Sequence, residues 1–313
     1  MYIGIDLGGT NIAVGLVLQD GRIIAKDSTP TKLPRDYTEI VKDMATLTNK
    51  LLLEEKISIS EIKGIGIGCP GSIDSENGVV AYANNLKMDN VPIVSELKKY
   101  FDLPVAILND ADAAAYGEYI VNGNGVDSFV FVTLGTGVGG GIVLNKKIYN
   151  GFNGAGAELG HIALVHGGKP CNCGNIGCWE VYASVTALIE QTKAAMEKNP
   201  ESKMHEFAIK EGKVSGRTAF DTAKQGDETA LKVVNQYIEY VAAGLVSIIN
   251  VFQPEKLVIG GGISKEGDYL LNPIKDYCYK HEYNKYLKKV DISIATLFND
   301  AGIIGAALAA KNI

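Results

Sequence analysis

The stretch HIALVHGGKPCNCGNIGCWE (161–180) brings His161, Cys171, Cys173, Cys178 and Glu180 within twenty residues. Three thiolates and one imidazole form a tetrahedral Zn2+ set that leaves no open position for water. Cys171 and Cys173 are too close along the chain for a good mutual disulfide. The stretch contains no C-x-x-C, so a thioredoxin-type redox pair has no support. The C-x-C-x4-C spacing is not the usual finger spacing, and the residues by themselves leave the metal cage open. Cys69 and Cys278 fall in apolar or helical contexts and read as buried bystanders.

Three glycine-rich turns follow apolar runs: DLGGTN (6–11), LGTGVGGG (134–141) and IGGGIS (259–264). Glycine lets backbone N–H groups approach an anion without a Cβ in the way, and two such hairpins facing each other would clamp a polyphosphate. Gly135, Gly137 and Gly140 spell GxGxxG, but the dinucleotide motif needs a helix directly after the turn. Here GIVL (141–144) reads as a strand, so that reading is rejected. No G-x-x-x-x-G-K-[ST] is present. In ILNDADAAAYGE (107–118) a strand ends at Asn109-Asp110 and a helix follows, the junction at which α/β proteins place ligands. A carboxylate there is ionised at neutral pH and can accept a proton. Asp112 reads as a helix cap. Asp6, in the first glycine turn, suits holding Mg2+ through water.

On these motifs the chain resembles the sugar-kinase, hexokinase and actin ATPase superfamily. Asp6–Asn11 and Leu134–Gly141 look like its two phosphate motifs, and IGGGIS like its adenosine motif. More narrowly, and essentially end to end, it is similar to the ROK family of bacterial repressors and sugar kinases, especially the glucokinases. The resemblance implies an α/β, two-lobed actin-like ATPase (ribonuclease H-like) fold with a cleft between the lobes. It implies ATP-dependent phosphorylation of a hexose at the 6-hydroxyl, glucose foremost, with Asp110 as general base. Asn109, Glu158, His161 and Glu180 would contact sugar hydroxyls, with Asn85 as a further contact. Asp6, Gly8, Gly9, Thr10, Asn11, Gly135, Thr136, Gly137, Gly261 and Gly262 would hold ATP and its Mg2+. The pattern Cys-x-Cys-Gly-x-x-Gly-Cys-x-Glu implies a structural Zn2+ on His161, Cys171, Cys173 and Cys178. An imidazole bound by one nitrogen can offer the other to a sugar hydroxyl, and the same cage would place Glu180. Buried carboxylates that accept hydroxyl hydrogen bonds would discriminate strongly among sugars.

The match has departures. In NNLKMDN (84–90) Met88 stands where the family's glucokinases often carry an aromatic residue, so the edge of the sugar pocket is open. N-acetylmannosamine, N-acetylglucosamine, fructose and allose stay as alternative substrates. Asp300, in NDAGIIGAALAA (299–310), is cap or ligand. A sugar-sensing regulator would need a DNA-binding helix-turn-helix ahead of a first strand that begins at residue 2. The expectation is therefore an enzyme, and by resemblance a homodimer.

These residues need a frame. YIGIDLGG reads as a buried strand and tight turn, followed by two strands joined by a hairpin at Asp20-Gly21. Tyr37 to Glu55 has helical spacing. Residues 128–151 repeat the opening in type, GLVL (15–18) lying against GIVL (141–144), which predicts duplicated β-β-β-α-β-α units. The predicted domains are 1–120 plus 299–313 for sugar, phosphate and base, and 121–298 for nucleotide and the zinc-framed loop. Residues 198–216 read as a mobile surface loop, and NDAGIIGAALAA as a helix returning to the first domain. The 313 residues carry a net charge of −6, which argues against a general nucleic-acid or anionic-membrane surface. The N-terminus lacks a basic leader region. The longest apolar stretch, Val241–Phe252, is too short to span a bilayer. Few, odd-numbered and clustered cysteines read as cytoplasmic.

Overall fold

The computed structural model describes residues 1–123 and 125–312; Ile313, the last residue of the first predicted domain, lies outside them. Strand β1 (Tyr2–Leu7) is buried along almost its whole length, as a strand covered on both faces must be. It pairs antiparallel with β2 (Asn11–Val17), and β2 pairs antiparallel with β3 (Ile23–Pro30) across the Asp20-Gly21 hairpin. Helix α1 (Tyr37–Glu54) starts at the cap Asp36 and buries Ile40, Met44, Leu47 and Leu51. Strand β4 (Ile65–Cys69) runs parallel to β1. A small antiparallel sheet follows, made of β5 (Ser72–Asp74), β6 (Val79–Ala83) and β7 (Met88–Val91). After the short α2 (Ile93–Leu97), β8 (Val105–Asn109) pairs parallel with β4 and leads into α3 (Asp110–Asn122). The sheet order is β3-β2-β1-β4-β8.

The second half repeats this order. Strands β9 (Ser128–Leu134), β10 (Val138–Leu144) and β11 (Lys147–Ile148) are followed much later by β12 (Lys256–Gly260) and β13 (Asp291–Ile294). Their sheet reads β11-β10-β9-β12-β13, again third-second-first-fourth-fifth in chain order. The duplication is real, and each copy runs one strand and one helix beyond the predicted β-β-β-α-β-α. Helices α4 (Glu180–Ala183), α5 (Val185–Lys198), α6 (Met204–Glu211), α7 (Gly216–Lys224) and α8 (Glu228–Phe252) lie between β11 and β12. Helix α9 (Asp268–His281) precedes β13, and α10 (Asp300–Ala309) follows it.

The chain divides into two compact units. One comprises Met1–Phe131, Gly141–Ala157 and the segment from Thr296 to the C-terminus; the other comprises Val132–Gly140 and Glu158–Ala295. The predicted 120/121 boundary falls inside α3, a continuous helix, whereas the units part within the β9–β10 hairpin and after Ala157. In the first unit α10 returns to α3, as predicted. The two helices cross so closely that an added Cβ at Gly305 would stand 1.7 Å from the Ala113 carbonyl oxygen. Glu118, wholly buried in α3, accepts from the Thr296 and Leu297 N–H groups at 3.1 and 2.8 Å and fastens the approach to α10.

In the second unit, Val241–Phe252 is the latter half of α8 and faces the core through Val241, Leu245, Ile248 and Ile249. Among the described residues no helix is long and apolar enough to cross a membrane. Residues 198–216 are not the mobile loop the composition suggested. They contain α6, bury Met204 completely, and tie Ser202 Oγ and the Lys203 N–H to Asp227 at 3.0 and 2.6 Å. Asp227 also accepts from the Ala230 N–H and so caps α8. Helix α6 is short and charged on its outside, so its one buried residue gives little periodic signal.

Candidate active site

In the first unit, the turn after β1 is closed by the Gly8 N–H donating to the Asn11 carbonyl at 2.9 Å. Thr31, fully buried beyond the end of β3, braces it from behind. Its N–H donates to the Thr10 carbonyl at 2.8 Å and its Oγ1 to the Gly8 carbonyl at 2.7 Å. A cavity of about 570 Å³ opens at this turn, lined in part by Asp6, Gly8, Thr10, Asn11, Lys26 and Asp300. Lys26 and Asp300 form an ion pair there, which places Asp300 at the cavity; the cap position of α10 is held by Asn299 instead. Asn85 is also close: its carbonyl oxygen lies 3.5 Å from where a Gly9 Cβ would stand.

Two carboxylates titrate abnormally here. Burial, and next to it the charge of Asp110, push the Asp6 carboxyl up to about 6. Asp110 begins α3 and is also raised. The surrounding protein displaces much of the water around its carboxyl, although one side of the residue is exposed. A hydrogen bond from the Ala111 N–H at 2.9 Å works the other way. Asp112 is not the helix cap. Asn109 is, accepting from the Ala111 N–H at 2.8 Å while its own amide donates to the Gly71 carbonyl at 3.0 Å. That leaves Asn109 one amide hydrogen for another partner. Met88 lies in the apolar core of this unit, 3% exposed.

In the second unit the turn Gly135–Gly137 is held on both sides. The Gly135 carbonyl accepts from the Val185 N–H at the start of α5, and the Thr136 carbonyl from Thr186 Oγ1, at 2.8 and 2.7 Å. The Val138 N–H donates to Glu180 Oε2 at 2.9 Å. The third turn abuts this one: Gly261, with φ +87°, packs on the Leu134 backbone, while Gly262 faces open space.

The ligand atoms of His161, Cys171, Cys173 and Cys178 all lie within 4.8 Å of one another. Cys173 Sγ is 3.6 Å from Cys178 Sγ, and Cys171 Sγ is 3.7 Å from His161 Nδ1. A tetrahedral ion with Zn–S bonds near 2.3 Å sets sulfurs about 3.8 Å apart, so the donor set fits such an ion. With Nδ1 turned to the thiols, Nε2 is left for another partner. Burial, with the neighbouring thiols adding to it, pushes the Cys178 thiol up to about 12, whereas a hydrogen bond from the Asn175 backbone lowers Cys173; a bound cation would favour the Cys178 thiolate. His166, in the same stretch, is not part of the set.

The cage is anchored by Trp179, which is wholly buried. Its Nε1 donates to the Tyr240 carbonyl of α8 at 2.8 Å, and its ring fills the space left by Gly244. One residue on, Glu180 opens α4, with Oε1 4.0 Å from Cys171 Sγ. Glu158, by contrast, is exposed, which corrects the expectation of a buried carboxylate at that position.

The ROK family model matches residues 2–313. The chain belongs to the ROK family. Among ROK relatives, the glucokinase of Halalkalibacterium halodurans is 38% identical, the match covering 97% of this chain and 93% of that one. The glucokinase of Thermotoga maritima is 37% identical over 97% of this chain and 95% of its own. The crystal structure of a ROK family glucokinase from Streptomyces griseus in complex with glucose and AMPPNP superposes with a TM-score of 0.83. It is 33% identical and is covered over 99% of its length by the whole of this chain. The fold of this ROK chain is thus that of the family's sugar kinases, the actin-like ATPase fold. Its first unit brings Asp6, Asp110 and the first glycine turn together with Asn85, and its second brings His161, the three cysteines and Glu180 to the second turn. Thr31 and Lys26 escape a reading of the sequence, since Lys26 sits in an ordinary polar strand, Thr31 just past its end, and each acquires its role only through pairing.

Proposed function

We propose that this ROK chain is an ATP-dependent hexose kinase, acting on glucose at the 6-hydroxyl. The observation that carries the reading is Asp110 at the β8–α3 junction, with a proton affinity raised by burial, beside Asp6 and a glycine turn. The end-to-end likeness to glucokinases supports it. Asp110 takes the proton from the 6-hydroxyl as that oxygen bonds to the γ-phosphorus and the bond to the ADP oxygen breaks. The turns Gly8–Asn11 and Gly135–Gly137 receive the phosphates through backbone N–H groups other than those of Gly8 and Gly135, which are engaged within their own turns, and Gly261 and Gly262 flank the adenosine. Asp6 would hold Mg2+ through water, and the ion would neutralise phosphate charge when bound.

Asn109, through its remaining amide hydrogen, and Asn85 meet sugar hydroxyls, as do Glu158, His161 Nε2 and Glu180. His161, Cys171, Cys173 and Cys178 hold a structural Zn2+ that fixes the imidazole and Glu180. The first unit then supplies the base and the first phosphate turn, and the second the other two turns and the metal-framed loop. The chain works as a cytoplasmic homodimer with no nucleic-acid or membrane partner.

The test is ADP release with Mg-ATP across glucose, mannose, fructose, allose, N-acetylglucosamine and N-acetylmannosamine, with Asp110→Asn as the comparison. Glucose is expected to give the highest kcat/KM. Asp110→Asn is expected to lower kcat by about 10²- to 10⁴-fold with glucose affinity nearly unchanged. High residual turnover with lost affinity would overturn the base assignment. Binding without turnover for every sugar would replace the kinase by a sensor.

A further inference from the structure

The second glycine turn contains a carboxylate. A Cβ added at Gly137 would stand 2.3 Å from Glu180 Oε2 and 3.2 Å from its Cδ, and the three nearest atoms all belong to Glu180. Gly137 is not in the left-handed region, so the backbone does not require glycine there. The same Oε2 accepts from the Val138 N–H at 2.9 Å, while the Gly135 N–H is engaged with the Gly137 carbonyl at 3.0 Å. An anion at this turn is left the N–H groups of Thr136 and Gly137, with a carboxylate beside them. A charge so placed repels phosphate unless hydrogen-bond donors engage it.

We propose that Gly137 is a positioning residue for the sugar site, glycine in order to admit Glu180, and that Glu180 couples sugar binding to nucleotide binding. This rests on the reading that the turn takes phosphates and Glu180 a sugar hydroxyl. A hydroxyl that donates to Glu180 draws on its charge, while the hold on Val138 fixes the turn. Sugar and nucleotide therefore favour each other's binding, and by equal factors.

A double-mutant cycle tests this, with glucose and Mg-AMPPNP as probes in calorimetry and with thermal unfolding as a second readout. Gly137→Ala is expected to raise the glucose Kd roughly ten-fold and to lower the Tm. In a Glu180→Ala background the same substitution is expected to change the glucose Kd by no more than about two-fold and to leave the Tm unaltered, because the clashing atoms are gone. Glucose is expected to tighten Mg-AMPPNP binding in the native protein and not in Glu180→Ala. Equal effects of Gly137→Ala in both backgrounds would overturn the proposal, as would an unchanged glucose Kd. If Gly137→Ala does not fold, a Gly137→Ala/Glu180→Ala protein that folds supports the proposal and one that fails overturns it. ADP release by the native protein, followed alongside, separates the two readings: turnover with a failed cycle sinks only this inference. Absence of both glucose binding and turnover sinks both.

Discussion

Asp6 and Asp110 show how placement changes an ordinary carboxylate. Burial raises Asp6 from 3.8 to about 6, so the folded protein binds that proton more tightly than the unfolded chain. The stabilisation from this linkage is fully present below pH 3.8 and is lost as pH rises through about 6. Asp6→Asn removes the linkage. Melting curves of the Mg2+-free protein across that window are expected to fall with pH more steeply for the native chain than for Asp6→Asn. Parallel curves would show that the carboxyl is not buried as described. Asn109 makes a second point. Capping α3 and reaching Gly71 use most of its hydrogen-bonding capacity, so its contact with a sugar is confined to one hydrogen.

Elements decide how firmly the second unit's residues are held. The stretch 161–180 has little regular structure of its own: an Ala163–Cys178 bridge, a Pro170–Ile176 bridge and the buried Trp179 against α8. Trp179→Ala empties the space beside Gly244 and is expected to cost about 3–5 kcal/mol, measured by denaturant unfolding. A loss under 1 kcal/mol would mean that Trp179 does not anchor the loop. Backbone hydrogen bonds such as Leu164 N–H to the Gly177 carbonyl, Cys171 N–H to the Asn175 carbonyl and Gly177 N–H to the Lys169 carbonyl tie the stretch together, and the proposed Zn2+ would cross-link it further. Removal of the ion by a chelator is expected to lower both the Tm and glucose affinity, and Zn2+ to restore them. Full glucose affinity after verified metal loss would refute the framing role.

At the scale of the chain, the two sheets share one strand order, and each copy carries a glycine turn after its first strand. Asn109 and Asp110 end β8 and open α3 within the repeat, whereas the other sugar-facing candidates lie outside it. Asn85 belongs to the β5–β7 insertion of the first copy, and Glu158, His161 and Glu180 to the long insertion between β11 and β12. A duplicated frame thus holds phosphate-type turns while unique insertions supply specificity, as loops on a rigid scaffold do. The first unit is also closed by both chain ends, with Glu118 fastening the return. Glu118→Ala strips an acceptor from two backbone N–H groups, for an expected loss of about 1–3 kcal/mol in chemical denaturation. An unchanged midpoint would show that α10 docks without it.

The sequence by itself determined what depends on short covalent spacing. It determined the buried strands, the glycine turns, the Asn109-Asp110 junction, the clustering of three cysteines near His161 and the repeat that relates the two sheets. Apolar periodicity and residue type act within a few positions, and these features need no more. Only the tertiary structure decided which side chains meet across the chain. Lys26 reaches Asp300 over 274 positions, Thr31 braces a turn 23 positions earlier, and Glu180 fills the space at Gly137. Met88 turned inward, and residues 202–203 were tied to Asp227, for the same reason. The direction and partner of a side chain are set by packing between distant segments, and one-dimensional spacing does not encode that.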